Sequence, residues 1–391
     1  AQPPGLFLAR DQPLGDGTLL MILRRGLLTL GAVVLVLAVT VIAGPRAGLL
    51  VALGIGFGLV LEGLRFGFAG PWRQMIAERD ARGLNAQLLA IGLAAAVAFP
   101  LMAAAPGELL PAHAPVGFGM ILGAFVFGAA MQLVMGCGSG TLVNAGSGNL
   151  IGLIALLGFI AGSFLGTLHL DFWASLGTLP VISAQSVAGA TGGLWMTLAA
   201  LAVVAVALAM RAAPGKRLPG GRLAMAAVLI AGLAALNLIV AGQPWGIVYG
   251  LGLWGAKIAQ AGGADLAATA FWSAPAHAER LSSSVLTDVT SLTNIGLILG
   301  AFLVMRGRAD SGAPAMSLAW RGWAGIALAA LVLGYSARMA FGCNVGAFFS
   351  GISTGSLHGW VWFAAAFVGS IAGLKLRPMI LIPASPVRVP A

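Results

Sequence analysis

The chain has 391 residues, of which 59% are hydrophobic and only 8% are charged, and its formal net charge is +10. A soluble protein carries about 25% charged residues, so this composition excludes a water-soluble globular protein and predicts a polytopic membrane protein. Because only two residues are cysteine, it also excludes a framework of disulfide bonds. The excess of lysine and arginine fits basic loops retained in the cytoplasm and, as a second interpretation, attraction of an anionic substrate.

The first elements in chain order are a polar segment and an apolar helix. Residues 1–21 have no hydrophobic period and are interpreted as a leader or a remnant of cloning. Two arginines then precede an apolar stretch, residues 27–43, which is long for the core of a signal peptide and has no clear cleavage site. We therefore predict an additional, retained transmembrane helix within residues 22–46.

Nine further apolar stretches are close to the ~20 residues that cross a bilayer, and Pro/Gly-rich segments interrupt the series. They cover residues 47–65, 84–104, 116–136, 150–168, 191–210, 223–241, 287–305, 322–341 and 360–376. Several loops between them are rich in lysine and arginine, whereas loops 105–115 and 169–190 contain neither. Placing the basic loops in the cytoplasm predicts ten crossings, with both chain ends inside.

A cysteine-centred glycine motif occurs twice, and it contains both cysteines of the chain. The first copy is M-G-C-G-S-G-T-L from Met135, and the second is F-G-C-N-V-G-A-F from Phe341. The match continues into the next apolar segments, where G-S-F-L-G from Gly162 corresponds to G-S-I-A-G from Gly369. Self-similarity at one fixed offset indicates a duplicated architecture.

The order of the predicted spans gives the two copies opposite orientations, because the extra span at 191–210 makes the second half enter from the other side. A weaker correspondence, of G-L-V-L-E-G-L-R-F-G from Gly58 with G-I-V-Y-G-L-G-L-W-G from Gly246, supports the duplication. The predicted fold class is all-α and polytopic, with about ten transmembrane helices in two inverted-topology repeats. Each repeat has a broken helix–loop–helix segment that carries a Gly-Cys motif. Such an architecture is typical of transporters, with the substrate site where the halves meet.

This organisation leaves no soluble catalytic domain, so the chain is predicted not to be an enzyme, and any transport is passive, ion-coupled or driven by a partner's chemistry. No cofactor, metal cluster or nucleic-acid partner is predicted. The predicted parts are the leader 1–21, the additional helix 22–46, the first repeat 47–190, the connecting helix and basic loop 191–222, the second repeat 223–376, and a cytoplasmic tail 377–391.

The two cysteine loops, residues 136–149 and 342–359, are predicted to fold inward and hold an anion. Irregular backbone at membrane depth survives only when it is buried in protein or lines a wet cavity. Glycines let N–H groups point at an anion, and the helices from about Leu150 and Trp360 would add their positive ends. In the alternative interpretation the glycines pack helices and each cysteine fills space, but two symmetric copies favour the anion site. The candidate path residues are Cys137, Cys343, Arg338, Gly136, Gly138, Gly140, Asn144, Gly342, Asn344, Gly346 and Lys257.

Charged residues in apolar stretches are functional candidates because burying them is costly. Arg338, five residues before Cys343, is the preferred fixed cation for an anion. Lys257 is predicted either to neutralise substrate charge or to cap a helix end, with equal weight on both interpretations. Glu62 is one turn from Arg65 and is predicted to pair with it.

Two further interpretations concern residues at the ends of spans. Asp288 stands at the start of a predicted helix, where a carboxylate accepts a backbone hydrogen bond, so we predict that it is an N-cap. Tryptophans near span ends, among them Trp72 and Trp245, are interpreted as a belt at the membrane interface.

These residues resemble the YeeE/YedE sulfur-transport family. The resemblance is carried by G-C-x-x-G with its small, polar continuation, by F-A-G-P-W-R from Phe68 and by G-L-W-G-A-K from Gly252, and it covers residues 47–376. It implies an hourglass-like fold in the bacterial inner membrane that takes up thiosulfate or a related sulfur anion. It further implies that Cys137 and Cys343 match conserved cysteines along the path, and that the anion is passed to a cytoplasmic sulfur-carrier protein.

One position departs from the family pattern. Members that import thiosulfate carry a third cysteine in a phenylalanine-rich motif, where this chain has Gly67 in R-F-G-F-A-G. The departure leaves open a different sulfur or selenium species as substrate. It also leaves open a membrane sensor that binds the same anion and signals to a cytoplasmic regulator. A third, less favoured interpretation is a thiol oxidoreductase in which Cys137 and Cys343 form a redox pair.

Overall fold

The computed structural model describes residues 16–308 and 318–381, and the regular elements in these ranges are helices. Within these two ranges ten helical stretches have the length and composition of membrane spans, which confirms the predicted number. In chain order the helices are α1 (Asp16–Ala43), α2 (Pro45–Gly63), α3 (Gly70–Glu78), α4 (Arg82–Ala104), α5 (Phe118–Leu133), α6 (Gly138–Gly146), α7 (Leu150–Leu168), α8 (Leu170–Ser175), α9 (Ala184–Arg211), α10 (Gly221–Ala241), α11 (Val248–Ala261), α12 (Ala270–Ser273), α13 (Pro275–Ser282), a 3₁₀ turn (Val285–Thr287), α14 (Val289–Gly307), α15 (Trp320–Met339), a π-helix (Asn344–Ser350), α16 (Gly351–Ser353) and α17 (Leu357–Ile380).

The predicted boundaries at the two ends of the chain differ from the structure. Helix α1 begins at Asp16, inside the segment interpreted as a leader, and residues 1–15 lie outside the described residues. Helix α17 continues through Arg377 to Ile380, into the predicted tail, and residues 382–391 also lie outside them. Both helices extend because helical hydrogen bonding propagates past the last strongly apolar residue at little cost.

Helices pack closely where glycines leave room for a neighbouring backbone. Gly54 and Gly58 of α2 face Gly296 and Gly300 of α14, and a Cβ at any of the four would overlap a carbonyl oxygen of the partner helix. Association in lipid depends on such small-residue contacts, because the bilayer already satisfies apolar side chains. Glycine therefore sets the distance between α2 and α14.

Two other helix pairs, α7 with α15 and α17 with α5, make contact through the two matching G-S-x-x-G segments. Gly162 of α7 packs on the carbonyl of Leu331 in α15, and Gly369 of α17 packs on the carbonyl of Phe125 in α5. Gly162 and Gly369 are the first residues of the two matching G-S-x-x-G segments. Each motif therefore packs on the helix that precedes the cysteine of the other half.

The predicted tryptophan belt is wrong for Trp72 and Trp245, which are 0% and 1% exposed. Trp72 donates its indole N–H to Oε1 of Gln87 at 3.0 Å. Both residues stand beside breaks between helices, and these breaks fold into the protein interior, so a position at the end of an apolar stretch does not place them at the membrane surface.

Two local predictions are confirmed. The Asp288 carboxylate accepts a hydrogen bond from the backbone N–H of Ser291 at 2.7 Å and caps α14. Glu62 pairs with Arg65 at 3.2 Å and also with Arg308 at 2.8 Å. The Asp288 carboxylate therefore caps α14, and the Glu62 carboxylate neutralises the charges of Arg65 and Arg308.

Candidate functional site

Helices α5 and α15 break in the same way just before the two cysteines. Met135 and Phe341 have left-handed φ values of 58° and 56°, which non-glycine residues rarely adopt. The next residues, Gly136 and Gly342, donate their N–H groups to carbonyls five residues earlier, those of Met131 and Ala337. Strained backbone of this kind is retained where the surroundings fix it, and it concentrates at functional sites.

The prediction of irregular backbone throughout residues 136–149 and 342–359 is wrong in one respect. Cys137 and Cys343 are each N-cap residues of a new short helix, α6 and the π-helix Asn344–Ser350. The positive helix ends nearest to the cysteines therefore belong to these two elements, and α7 and α17 begin only after them. The reason is that the left-handed residue and the glycine complete the break in about four residues, so the polar residues that follow are free to form helix.

The Cys137 thiol takes part in the cap of α6. Its Sγ accepts the backbone N–H of Gly140 at 3.5 Å and lies 3.3 Å from Oγ of Ser139. Cys137 and Cys343 are both buried, and both are free thiols. The sulfur of Cys137 is thus fixed by two polar contacts to its own motif.

The two halves meet at Gly138. A Cβ built on Gly138 would lie 2.8 Å from Sγ of Cys343 and 3.3 Å from a methyl carbon of Ile247. Glycine at this position lets α6 of the first half approach the cysteine of the second half. The structure therefore brings Cys137, Gly138 and Cys343 together, although they come from motifs about half the chain apart.

A first cavity, of about 180 Å³, lies against the first motif. One wall is the motif itself, with Gly136, Ser139, Gly140 and Asn144, and the opposite wall is the segment between α2 and α3, which includes Phe68. Three of the predicted path residues line this cavity.

The first cavity adjoins a wider entrance cavity of about 530 Å³, with which it shares Arg65 and Gly67. Arg82 and Arg222 line the entrance cavity. The Arg82 guanidinium lies 2.6 Å from a carboxylate oxygen of Asp80, and this hydrogen bond holds the pKa of Asp80 below its ordinary value. The approach to the first motif is therefore rich in basic residues.

A second cavity, of about 440 Å³, lies against the second motif. Gly342, Gly346 and Arg338 line it, together with residues 243–249, which run from the connection after α10 into the first turn of α11. A Cβ on Gly346 would meet no atom within 4 Å, so this part of the motif faces open space. Three more of the predicted path residues thus line one cavity.

The two cavities lie at opposite ends of α2. Arg46, at the start of α2, donates to the carbonyls of Val240 and Ala241 at 2.8 Å, just before the segment that lines the second cavity. Leu61 and Glu62, near the other end of α2, line the first cavity. A helix of 19 residues is about 28 Å long, so the two cavities extend toward different ends of α2.

The barrier between the cavities is thin and contains an aromatic cluster. Phe68 lines the first cavity, Trp245 lines the second, and their ring centroids are 6.3 Å apart. Trp245 also stacks on Phe57, with centroids 3.8 Å apart, and contacts Phe349 edge-on at 5.9 Å. Ile247, which contacts the Gly138 site, lines the second cavity as well. The cysteines and the aromatic cluster therefore belong to one barrier.

Arg338 is a partly buried cation that has no carboxylate partner within the described residues. Its Nη2 donates to the carbonyl of Val248 at 3.2 Å and to Oγ of Ser163 at 3.5 Å. Its guanidinium carbon lies 5.4 Å from the ring centroid of Phe271 and 5.7 Å from that of Tyr249, within cation–π range. Among the described residues no Asp or Glu oxygen lies within 4 Å of it. The charge at the second cavity is consequently not neutralised by an acid.

Lys257 is not brought to the cysteines. Its ammonium group donates to the carbonyls of Leu281 at 2.7 Å and Ser283 at 2.6 Å, at the end of α13. These carbonyls have no partner within α13, and Lys257 supplies one, so the helix-capping interpretation holds. Lys257 lines neither the first nor the second cavity.

Sequence reasoning missed the aromatic cluster and the residues of α12 and α13 at the second cavity. Phe57 immediately precedes the segment Gly58–Gly67, and Trp245 immediately precedes the matching segment from Gly246. The sequence repeat therefore pointed to this pair of residues. Phe271 and His277 line the second cavity but come from an insertion with no counterpart between α3 and α4. No motif pointed to them.

Comparison with known proteins agrees with the resemblance drawn from the motifs. A sequence model of the family described as sulphur transport matches residues 64–372 of the chain, a range that contains both cysteines. The chain is also similar to "Probable transporter YedE" of Escherichia coli (strain K12) and to the protein of the same name from Salmonella typhimurium (strain LT2). Each is 41% identical to it over 63 residues, which is 16% of this chain and 16% of the length of each relative.

Proposed function

The chain belongs to the sulphur-transport family, and we propose that it is a bacterial inner-membrane transporter for thiosulfate or a related sulfur-containing anion. The observation that carries this proposal is the barrier. Two cavities extend toward different ends of α2, and the barrier between them contains the Phe68–Trp245 contact and the contact of Gly138 with Cys343 and Ile247. A path for a solute needs access from both sides and a selective point between them.

We infer that the path is built from two inverted repeats, residues 47–190 and 223–376, with α1 as an additional helix and 191–222 as the connection. The reciprocal packing of the G-S-x-x-G segments supports this inference. So does the contact of Gly123, early in α5, with Ser336 and Met339, at the end of α15. Helices at equivalent places in an inverted repeat run in opposite directions, as this contact requires.

The charges give the path an orientation. Basic loops are retained in the cytoplasm, and the entrance cavity beside the first motif carries Arg65, Arg82 and Arg222. The second cavity is lined by Leu110 and by Leu170, from loops without lysine or arginine. In the proposed orientation the second cavity faces outward and the first cavity faces the cytoplasm.

The chemistry of the barrier suits a sulfur anion. A buried anion needs fixed positive charge or several aimed N–H donors. Arg338 supplies the charge at the second cavity, and the glycine-rich starts of α6 and of the π-helix supply backbone donors. The two thiols add polarizable sulfur contacts and weak S–H donors at the narrowest point. Cys137, Cys343 and the motif residues that line the cavities are therefore the proposed path.

A cytoplasmic sulfur-carrier protein is the proposed partner, and the basic entrance cavity is its proposed docking point. The missing third cysteine is not imposed by packing, because a Cβ on Gly67 would meet only a carbon of Pro71 at 4.0 Å. Gly67 lines both the first cavity and the entrance cavity. We propose that in this chain the anion passes this position without contacting a thiol.

Uptake of ³⁵S-thiosulfate by proteoliposomes tests the proposal. Cys137→Ala and Cys343→Ala are expected to lose most uptake at normal protein level, and serine at either site to be nearly as damaging, because a hydroxyl is less polarizable than a thiol. Ser336→Ala, which removes a buried hydroxyl bonded only to carbonyls of its own helix, is the control and should keep uptake. Wild-type uptake in both alanine variants would contradict the proposal. Saturable binding without uptake by the wild type would instead favour the sensor.

A further inference from the structure

The two halves differ at the centre of the barrier. Phe57 and Trp245 each stand just before the matching sequence segments from Gly58 and Gly246, but Phe57 lies within α2 and Trp245 in the connection between α10 and α11. Their rings stack face to face, with centroids 3.8 Å apart and an angle of 7° between the planes. The second half thus contributes an indole N–H where the first half contributes only hydrocarbon.

The indole N–H of Trp245 has no acceptor among the described residues, although the side chain is 1% exposed. The buried indoles of Trp72 and Trp272 both donate, to Gln87 at 3.0 Å and to Thr167 at 2.9 Å. A buried donor without a partner is costly, so a group that supplies an acceptor stabilises the site. Because Trp245 lines the second cavity, a molecule in that cavity is the candidate acceptor.

Two more unsatisfied donors stand in the same half. Asn344, next to Cys343, is buried with neither its amide nitrogen nor its amide oxygen paired, and Nε of Arg338 is also unpaired within the described residues. Their counterparts in the first motif are Gly138, which has no side chain, and Gln132, which is uncharged although its buried amide nitrogen is also unpaired within the described residues. The two halves therefore differ in the fixed charge of Arg338 and in the amide of Asn344.

We propose that Trp245 is an anion-coordinating residue. Together with Asn344 and Arg338 it holds the oxygen-bearing end of a compact sulfur oxyanion at the second-cavity face of the barrier, with the other end of the anion directed toward Cys343. This proposal rests on the transport function proposed above and adds the residue and the orientation. N–H donors and a guanidinium select oxyanions over cations and neutral solutes, and a single indole donor fits one oxygen atom.

The test compares Trp245→Phe with Trp362→Phe in equilibrium binding of ³⁵S-thiosulfate to purified protein. Phenylalanine at 245 keeps an aromatic ring to stack on Phe57 and removes the N–H donor together with part of the ring volume, a loss of volume that Trp362→Phe shares. Trp362 is the matched control, since its indole N–H is also buried and unpaired but it lines neither cavity. Loss of one hydrogen bond to a charged ligand should raise Kd about tenfold or more in Trp245→Phe, while Trp362→Phe keeps the wild-type Kd.

Further readouts separate coordination from a structural role. In Trp245→Phe the KM for uptake should rise with Kd while kcat changes little, at an unchanged thermal unfolding midpoint. Wild-type Kd in Trp245→Phe would overturn the inference and leave the transport function standing. If the wild type itself binds no thiosulfate, sulfite or sulfate, the proposed function fails first.

A measurement on wild-type protein covers the case in which Trp245→Phe does not fold. With ¹⁵N in the indole nitrogens, saturating thiosulfate should shift at least one indole N–H resonance, because the new hydrogen bond deshields the proton. Thiosulfate that binds but leaves every indole resonance in place would overturn the inference.

Discussion

Replacing Gly138 with alanine tests the contact by which the two halves meet. The added methyl carbon would lie 2.8 Å from Sγ of Cys343, and 3.3 Å from both Cβ of Cys343 and a methyl of Ile247. Non-bonded heavy atoms of this kind settle at about 3.5–4.0 Å. Either the Cys343 thiol or the start of α6 must therefore move by roughly 1 Å.

The size of the effect follows from this crowding. Forcing a methyl group into a well-packed interior costs about 1–3 kcal/mol. Alanine is favoured over glycine within a helix by up to about 1 kcal/mol, but that gain is smaller at the first helical position. We expect a net destabilisation of about 1–2 kcal/mol. Uptake should fall by an order of magnitude or more, because the displaced thiol lies in the barrier.

Thermal unfolding in detergent and thiosulfate uptake in proteoliposomes measure the two effects. Gly346→Ala is the control for stability, since its Cβ would meet no atom of the described residues within 4 Å and the residue lies in the first turn of the equivalent helix of the other half. It should keep or slightly raise the unfolding temperature. If Gly138→Ala unfolds at the wild-type temperature and transports at the wild-type rate, then α6 and Cys343 are not in contact and the described barrier is refuted.

Three further predictions concern the cavities. Arg338→Gln should weaken the apparent affinity for a divalent anion more than for a monovalent one at normal protein level, and unaltered affinity would assign the anion to backbone and thiol groups alone. Gly67→Cys should express normally, because the site has room, and its thiol should react with maleimide from the side of the entrance cavity; failure to react would contradict the exposure of this position. His277 lines the second cavity, and burial, followed by Arg338 and Arg280, holds its pKa below the ordinary value. It is therefore neutral at about pH 7 and gains a proton only in acid, so dianion affinity should rise from about pH 7 to about pH 5 in the wild type and stay flat in His277→Gln.

The transmembrane spans were predictable because the signal is local. A bilayer demands about 20 apolar residues in a row, and each of the ten predicted stretches overlaps a span of the structure. The site was partly predictable for a different reason. Duplication singled out Cys137 and Cys343, and a contact between halves is the expected use of a duplicated motif.

The remaining features depend on tertiary structure, which leaves little trace in sequence. Met135 and Phe341, whose backbone is left-handed, are ordinary apolar residues, and their side-chain type does not predict a positive φ. The burial of Trp245 follows from how the break before α11 folds inward. Lys257 donates to carbonyls at the end of α13, and α13 belongs to an insertion whose position the sequence repeat does not predict. In each case a neighbour distant in the chain decided the outcome.

The differences between the halves matter because an inverted repeat by itself offers the same site to both sides of the membrane. Here the second cavity has the unneutralised Arg338, whereas Arg65, at the first cavity, is paired with Glu62. Passive transport obeys detailed balance, so this asymmetry cannot drive net flux against a gradient. It can lower the anion concentration that half-saturates transport from the side of the second cavity. Detailed balance then requires the maximal rate from that side to be lower in the same proportion, because tight binding at Arg338 must be undone before the anion crosses the barrier.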